Sequence, residues 1–195
     1  MTLKTNEKLQ IRDSRAADVK AIHRIYEEQV LNGISSWEEI PPTLNEMQER
    51  RSAIFEKGYP FLVGEIGDQV VGYAYAGPYR SRSGYRYTVE HSIYVDKTYR
   101  HNGTGASLMK ELICRCEALG FRQMIAVIGG SDNHTSIEFH TKMGFSHAGT
   151  LRSIGYKFDH WMDSVIMQRA LGSGEQTPPG QLKIDHNKIE NEKTI

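Results

Sequence analysis

The sequence predicts an α/β domain built on a mixed sheet, and three observations support this prediction. Strand-like and helix-like segments follow one another in the order β-α-α-β-β-β-α-β-α-β-β. The run QMIAVIG at residues 123–129 is continuously apolar, as expected of a strand buried on both faces. Several helical segments are closed by glycine, which commonly follows the last turn of a helix.

The N-terminal third is predicted to hold a short strand and two helices. The first helix has core-type residues at helical spacing, namely Val19, Ile22, His23, Tyr26 and Val30. Gly33 stands where this helix would end. Thr43, with Glu46 three residues later, has the spacing of a capping box. The second helix then presents one mostly apolar face: Leu44, Met47, Arg51, Ile54 and Phe55.

The middle of the chain changes to strand patterns. FLVGEI and VVGYAYAG are separated by Gly67-Asp68, which indicates a hairpin turn. The polar loop PYRSRSGYR at residues 78–86 leads to a further strand, TVEHSIYV, at residues 88–95. A helix over 106–119, closed by Gly120, precedes the buried strand at 123–129. A shorter helix with Ile137, His140 and Met143 ends at Gly144, and two strands complete the domain.

The folded domain is predicted to span residues 1–171. From residue 172 the composition shifts to GSGEQTPPGQ and then to a polar, charge-mixed stretch without helical or strand period. We therefore expect residues 172–195 to form a disordered C-terminal tail.

Charge and cysteine content exclude several functional classes. The 24 basic and 24 acidic side chains give a net charge of zero, which disfavours nucleic acid as a partner. Two cysteines, Cys114 and Cys116, do not make a secreted disulfide framework, so a reducing, cytoplasmic location is expected. The chain has no apolar run of roughly 20 residues, and no membrane partner is expected. Its eight histidines are scattered, and no metal site is predicted.

The segment VDKTYRHNGTGA at residues 95–106 carries the strongest chemical signal. A strand runs into a loop with Gly103 and Gly105 that opens directly into a helix. Glycines let the backbone approach an anion, and the free N–H groups and dipole of the first helical turn favour a phosphate there. The sequence lacks GxxxxGK[ST], so this is not a Walker loop. It also lacks the third glycine of a Rossmann fingerprint.

Several motifs together resemble one enzyme family. R-x-x-G-x-G at residues 100–105 is followed by N-x-x-S-I-x-F-H-x-K-M-G-F at residues 133–145. With the stretches TVEHSIYV and GYKFDHWMDSVIMQ, they resemble the GNAT family of N-acetyltransferases over about residues 9–171. Within that family the chain is similar to the branch that acetylates phosphinothricin, methionine sulfoximine and methionine sulfone.

The resemblance implies a fold and a reaction. The GNAT fold has a mixed central sheet whose fourth and fifth strands splay apart, flanked by helices. Members transfer an acetyl group directly from the co-substrate acetyl-CoA to a primary amine within a ternary complex. In this branch the acceptor is a small amino-acid-like molecule, the protein is usually a homodimer, and the reaction gives resistance to antibiotic or herbicide toxins.

The resemblance also implies a set of cofactor-binding residues. The strand would hold the acetyl and pantetheine carbonyls, and the loop and helix start would hold the pyrophosphate, with a further contact from the next helix: Ile93, Tyr94, Val95, Arg100, His101, Asn102, Gly103, Thr104, Gly105, Ala106 and Asn133. Many relatives have glycine at the position of His101. A side chain there leaves the N–H available but crowds the loop.

Glu90 and His140 are the candidate catalytic residues. Glu90 is a carboxylate inside an otherwise apolar strand, where desolvation would raise its pKa toward the range of a useful base. The alternative is a strand residue that faces solvent. His140 stands where many acetyltransferases have the tyrosine proposed to protonate the departing thiolate. It is equally well explained as a core histidine, because Ile137 and Phe139 are its neighbours.

The acceptor is expected to contact the arginine-tyrosine loop and the start of the Glu90 strand. Guanidinium groups suit the carboxylate and second polar head of an amino-acid-like acceptor. By resemblance the substrate-binding residues are Arg80, Ser81, Arg82, Glu90, His91 and Ser92. Relatives often have an aromatic residue at the position of Arg82, which leaves the choice of amino acid open. Lys157 and Trp161, near the last hairpin, are candidates for closing the pocket.

Two other functions remain open at this point. One is a catalytically idle acetyl-CoA-binding module that senses or scaffolds. The other is a GNAT enzyme that acts on peptides or polyamines.

Overall fold

The computed structural model describes residues 8–184 and confirms the α/β fold class. Seven strands form one sheet: β1 Gln10–Asp13, β2 Phe61–Ile66, β3 Gln69–Pro78, β4 Thr88–Val95, β5 Gln123–Gly129, β6 Ser146–Lys157 and β7 His160–Ala170. Four helices accompany them: α1 Val19–Asn32, α2 Leu44–Glu56, α3 Thr104–Leu119 and α4 His134–Lys142. The order of helices and strands along the chain is the predicted one.

The sheet is mixed because one strand pair is parallel. The spatial order is β1-β2-β3-β4-β5-β7-β6, and every neighbouring pair is antiparallel except β4 with β5. The parallel pairing covers only three positions and ends where Glu90 faces Ile125. Beyond Glu90, β4 and β5 each continue without the other as a partner. The two strands therefore separate, as the resemblance implied.

The two faces of the sheet carry separate apolar cores. On one face α1 and α2 cover a cluster that includes Ile22, Tyr73 and Tyr94. On the other face α3 packs on a larger cluster that includes Val89 and Leu108. Because successive residues of a strand point to opposite faces, the even-numbered residues of β4 face α1 and α2, and the odd-numbered residues face α3 and α4.

Local sequence signals explain most helix ends. The Thr43 hydroxyl accepts from the Glu46 N–H at 3.2 Å, and the Glu46 carboxylate accepts from the Thr43 N–H at 2.6 Å, which confirms the capping box. Gly120 follows α3 at φ 96° and Gly144 follows α4 at φ 83°. Gly33 ends α1 as predicted, although its φ of −129° is extended.

The β6–β7 hairpin forms one edge of the sheet and is irregular. The register of β6 against β7 shifts between Leu151 and Gly155, where Ser153 adopts φ 49°. The turn that joins the strands consists of Phe158 and Asp159, both at positive φ, 52° and 61°. Two consecutive positive φ values are typical of a type I′ turn, which normally takes Asn-Gly or Asp-Gly.

Part of the predicted tail has defined contacts. Residues 172–184 leave β7 and lie against the ends of α3 and α2, and we call them the C-terminal strap. Arg122 donates to the Ser173 hydroxyl and to the Thr177 hydroxyl. The Lys183 N–H donates to the Leu119 carbonyl at 3.0 Å. Leu182 and Ile184 pack on the larger core. The rest of the predicted tail, residues 185–195, lies outside the described residues.

No helix within residues 8–184 is long and apolar enough to cross a membrane.

Candidate active site

The candidate site lies where β4 and β5 separate. Glu90 is the last residue of β4 that pairs with β5, and it is half-buried. Its side chain faces the α1–α2 side, close to Tyr75, whose pKa is raised by desolvation and further by the Glu90 charge. Desolvation also raises the pKa of Glu90 above 4.5. The structure thus gives Glu90 the partly buried environment that a base near neutral pH needs.

The open edge of β4 continues from Glu90 towards α3. Ile93 and Val95 face the α3 side and Tyr94 faces α1. On the β3 side all of these residues are paired, with Tyr94 opposite Tyr73. On the β5 side the register ends at Glu90, so this edge is available to a ligand that pairs with backbone groups. Such an edge suits the amides of a pantetheine arm.

The glycine loop leads into the N-terminus of α3, whose geometry suits the binding of an anion. Gly103 precedes α3 with φ 80°, and the first intrahelical bond runs from the Ser107 N–H to the Gly103 carbonyl at 3.0 Å. The N–H groups of Thr104, Gly105 and Ala106 are therefore not used inside the helix. The first turn contains no acidic residue. This end of α3 combines free donors with the positive end of the helix dipole.

The side chains of this loop differ in exposure. Arg100, His101 and Asn102 are exposed, and Thr104 is buried. The Thr104 hydroxyl has no hydrogen-bond partner within residues 8–184. His101 adopts φ 63°, the left-handed region that glycine enters without strain. The backbone conformation at His101 is thus one that glycine adopts more readily than histidine.

Asn133 performs a structural task in addition to its predicted contact. Its side-chain oxygen accepts from the Ser136 N–H at 3.3 Å and so caps α4. Its amide nitrogen donates to the Gly129 carbonyl at 3.2 Å. Asn133 therefore ties the start of α4 to the end of β5, on the β5 side of the gap. Its contact with a cofactor stays a prediction.

His140 and His91 form a buried pair on the opposite face from Glu90. His140 is 4% exposed and His91 is 6% exposed, with ring centroids 5.1 Å apart. His140 Nδ1 lies 2.7 Å from the Ser136 carbonyl oxygen, so Nδ1 carries the hydrogen and Nε2 is the free acceptor. Desolvation lowers the pKa of both rings, that of His91 to about 3. Both are neutral at pH 7.

His91 is the least satisfied polar side chain of the site. Neither of its ring nitrogens has a hydrogen-bond partner in the described part of the chain. As a predicted substrate contact it points away from the face of Glu90 and Ser92, because neighbouring strand residues alternate. Its side chain reaches an acceptor on the Glu90 face only through the gap between the strands.

The arginine-tyrosine loop is exposed and follows β3. Arg80, Ser81 and Arg82 are exposed. The guanidinium of Arg80 lies 5.2 Å from the centre of the Tyr79 ring, and Tyr79 packs edge-on against Tyr85. The loop returns into β4 two residues before Glu90. The predicted substrate-binding residues Arg80 and Arg82 therefore lie in the loop that leads into β4, next to the end of β4 that carries Glu90.

The segment between α1 and α2 was not predicted to belong to the site. Tyr26 donates to Glu38 at 3.1 Å and bonds the Ser36 hydroxyl at 2.8 Å. Arg50 donates to the same Glu38 carboxylate at 2.6 Å. These contacts hold the segment on the Glu90 face. The contacts join residues 10 to 12 positions apart, and neither motif spacing nor periodicity indicated them.

Of the two hairpin residues proposed to close the pocket, only one is buried. Lys157 is 2% exposed and donates to carbonyls of the α1–α2 segment. Trp161 is 65% exposed and packs edge-on against Tyr156. Among residues 8–184 no group of three or more His, Cys, Asp or Glu side chains could hold a metal ion.

Comparisons with known proteins agree with this geometry. The acetyltransferase (GNAT) domain matches residues 11–166. Phosphinothricin N-acetyltransferase of Alcaligenes faecalis is 43% identical over 169 residues, which cover 87% of this chain and 86% of that protein. The L-methionine sulfoximine/L-methionine sulfone acetyltransferase of Pseudomonas paraeruginosa is 38% identical, with 86% and 98% covered.

A solved structure shows the same fold. A phosphinothricin acetyltransferase from Sinorhizobium meliloti, crystallised with acetyl-CoA, superimposes with a TM-score of 0.86 at 45% identity. The match covers 90% of this chain and 95% of that one. Sequence, fold and site geometry lead to one conclusion: the chain belongs to the GNAT family of acetyltransferases.

Proposed function

We propose that this enzyme acetylates the primary amine of a small amino-acid-like acceptor of the phosphinothricin or methionine sulfoximine type. Its co-substrate is acetyl-CoA, as in the acetyltransferases of similar fold. The observation that carries the proposal is Glu90, a half-buried carboxylate with a raised pKa at the point where β4 and β5 part.

Acetyl-CoA would bind along the gap. The N–H groups at the start of α3 take the pyrophosphate, with Arg100 beside them, and the open edge of β4 takes the pantetheine amides. This places the thioester near Glu90, where the strands diverge. A backbone N–H on the open edge of β4, between Glu90 and Val95, would stabilise the oxyanion.

The transfer would proceed directly in a ternary complex. An ammonium has no lone pair, so Glu90 first takes a proton from it, directly or through a water. The amine nitrogen then bonds to the acetyl carbon, the carbon–sulfur bond breaks, and coenzyme A leaves as its thiolate. The nitrogen gives up its second proton as the amide forms, and a proton passing through water or His140 neutralises the thiolate. His140 would protonate that thiolate only as an imidazolium, because Nδ1 already donates to Ser136.

Acceptor recognition would come from the arginine-tyrosine loop. The guanidinium groups of Arg80 and Arg82 suit an α-carboxylate and a second polar head, such as a phosphinate or a sulfoximine. Ser81, His91 and Ser92 complete the predicted contacts. Two relatives are named for these acceptors, and both cover most of this chain.

A thiol-release assay with acetyl-CoA tests the proposal. The panel contains phosphinothricin, L-methionine sulfoximine, L-methionine sulfone, a short peptide and a polyamine. We expect turnover with the three amino-acid analogues and little with the last two. Turnover only with the peptide or the polyamine would assign another GNAT substrate class. Binding of acetyl-CoA without any turnover would indicate an idle binding module.

We also infer a homodimer, and the β6–β7 hairpin supports it. This edge exposes several large apolar side chains: Leu151, Ile154, Tyr156, Phe158 and Trp161. Exposed large apolar side chains concentrated on one hairpin are typical of a protein–protein interface. Sedimentation equilibrium should give twice the chain mass, and a charge at Ile154 should reduce it to the monomer value. A cytoplasmic location and the absence of nucleic acid as a partner stay predictions.

A further inference from the structure

Lys157 has an environment that is unusual for a lysine. Its side chain is buried beside the turn of the β6–β7 hairpin, and its ammonium donates to the carbonyls of Gly33 at 3.0 Å and Ser36 at 2.8 Å. The ring of Phe158 lies 4.9 Å from the same nitrogen. Removing an ammonium from water is unfavourable unless its donors are used. Lys157 therefore makes specific contacts with two carbonyls that are 121 and 124 residues away along the chain.

The segment that Lys157 contacts crosses the gap between β4 and β5. We call residues 33–37 the crossing segment. On the β4 side the Tyr94 hydroxyl donates to the Ser35 carbonyl at 3.4 Å. On the β5 side the Ile34 carbonyl lies directly on Gly129, where any Cβ would collide with it. The crossing segment thus contacts both diverging strands, on the face that carries Glu90.

The hairpin supports the same segment through a second contact. The ring of Trp37 lies against Gly155, so closely that a Cβ on Gly155 would overlap the ring. Gly155 pairs with Met162, directly after the register shift of β6. The crossing segment is therefore seated on backbone at both Gly129 and Gly155.

The turn beside Lys157 holds a strained conformation. Phe158 is neither glycine nor asparagine, yet it adopts φ 52°. A left-handed conformation is unfavourable for an ordinary L-residue, and such strain persists only where neighbouring contacts hold it. Here it places the Phe158 ring over the Lys157 ammonium. The Phe158 ring thus packs on the same ammonium that donates to the crossing segment.

We propose that Lys157 is a positioning residue, which holds the crossing segment across the gap and thereby fixes one wall of the acceptor pocket. The inference rests on the proposed function, because the pocket is placed by Glu90 acting on the amine. Lys157 itself touches no reacting atom. Its removal should weaken acceptor binding far more than acetyl-CoA binding, because the pyrophosphate site at the start of α3 lies outside the contacts of the crossing segment.

The test compares Lys157→Met with wild type and with Lys20→Met, the same change at an exposed position of α1. L-Methionine sulfoximine is the probe. For Lys157→Met we expect the KM for this amine to rise about tenfold or more, with kcat reduced less and the Kd for acetyl-CoA within about twofold of wild type. Lys157→Arg, whose guanidinium can also donate to two carbonyls, should restore part of the loss.

A second readout needs no acceptor. The protease Glu-C cleaves after glutamate, and Glu38 and Glu39 directly follow the crossing segment. Wild type and Lys20→Met should resist cleavage there, and Lys157→Met should be cleaved. If no amino acid is acetylated, the proposed function fails, while this readout still tests whether Lys157 holds the crossing segment in place.

Gly129→Ala provides an independent route if Lys157→Met does not fold. Its Cβ displaces Ile34 from the other side of the gap, so the same rise in KM and the same cleavage are expected. In the double variant the effects should be less than additive, because either change alone releases the segment. Equal losses in acceptor and acetyl-CoA affinity, or an uncleaved segment with unchanged KM in Lys157→Met, would overturn the proposal.

Discussion

Glu90 and His91 are neighbours in β4, and their side chains lie on opposite faces of the sheet. Glu90 faces α1 and Tyr75, whereas His91 stacks on His140 of α4. The Glu90 carboxylate and the His91–His140 pair therefore lie on the two sides of β4. A ligand can reach both only through the gap between β4 and β5. In the proposed mechanism, amine deprotonation by Glu90 and protonation of the thiolate by His140 would therefore take place on different sides of the thioester.

Glu90→Gln should remove the base and keep the shape of the site. We expect kcat to fall by about 10²–10⁴, the usual contribution of a general base, with little change in the Kd for acetyl-CoA. In wild type, kcat/KM should decrease as the pH falls and Glu90 is protonated, at a pH above 4.5 because burial raises its pKa. Glu49→Gln on the exposed side of α2 is the control, and a similar loss there would remove the special role of Glu90.

The contribution of His140 to turnover should depend on pH. Protonation of the thiolate needs a hydrogen on Nε2, which makes the ring an imidazolium, and desolvation lowers the pKa of His140 below 6.5. We expect His140→Gln to reduce kcat more at pH 6 than at pH 8, measured with saturating substrates. The same relative loss at both pH values would assign His140 to packing alone.

His91→Leu should stabilise the protein and flatten its pH dependence. The change removes two buried nitrogens that have no hydrogen-bond partner within residues 8–184, which is worth about 1–3 kcal/mol for each such group. Burial lowers the folded-state pKa of His91 to about 3, so the unfolded chain binds the extra proton below pH 6.5. Stability is therefore lost as the pH falls, by about 1.4 kcal/mol per pH unit for one proton.

Urea unfolding of wild type and His91→Leu at pH 7, 6 and 5 measures this effect. The wild-type slope includes His140 as well, whose pKa is also lowered by burial. The difference between the two slopes should correspond to one proton. Parallel slopes would show that His91 finds a hydrogen-bond partner in solution that stabilises its charged form.

His101→Gly should stabilise the folded chain and leave the Kd for acetyl-CoA nearly unchanged. His101 stands at φ 63°, and glycine removes a strain of about 1 kcal/mol; a loop that keeps this conformation when bound carries the same strain in both states, so the strain cancels in the Kd. Asn102→Gly is the matched control, because Asn102 has no positive φ and glycine there only adds freedom to the loop. Urea unfolding compares the stability of the two variants, and isothermal titration gives their Kd for acetyl-CoA. Weaker binding by His101→Gly would mean that the imidazole itself contacts the cofactor.

The C-terminal strap should contribute to stability and not to chemistry. Leu182→Ala and Ile184→Ala remove partly buried side chains from the larger core. We expect each to lower the free energy of unfolding by about 1–2 kcal/mol, less than for a fully buried site. Turnover at 25 °C should be unchanged. Gln181→Ala, at an exposed position of the strap, is the control.

The sequence predicted the elements well because their signals are local. The capping box at Thr43 and the hairpin at Gly67 depend on residues two or three positions apart. The glycine loop before α3 is equally local, since Gly103 supplies the positive φ directly before the first turn. Such signals act within one turn of chain, so one sequence is enough to find them.

What could not be predicted depends on distant partners. In the sequence Lys157 looks like an exposed lysine of an edge strand, and only the fold brings it to the carbonyl of Gly33. Leu182 and Ile184 are isolated apolar residues in a polar stretch, without a periodicity that indicates packing. The faces of β4 that carry Glu90 and His91 could likewise be assigned only once the positions of the helices on the sheet were known. In each case the information resides in contacts between residues far apart in sequence.

The strap also bears on the order in which the chain can fold. Leu182 and Ile184 are synthesised after every helix and strand of the sheet, yet they cover core residues between the ends of α2 and α3. While the ribosome is still extending the chain, that apolar area has no cover of its own. The nascent domain therefore keeps this apolar surface exposed to water until its final described residues have left the ribosome.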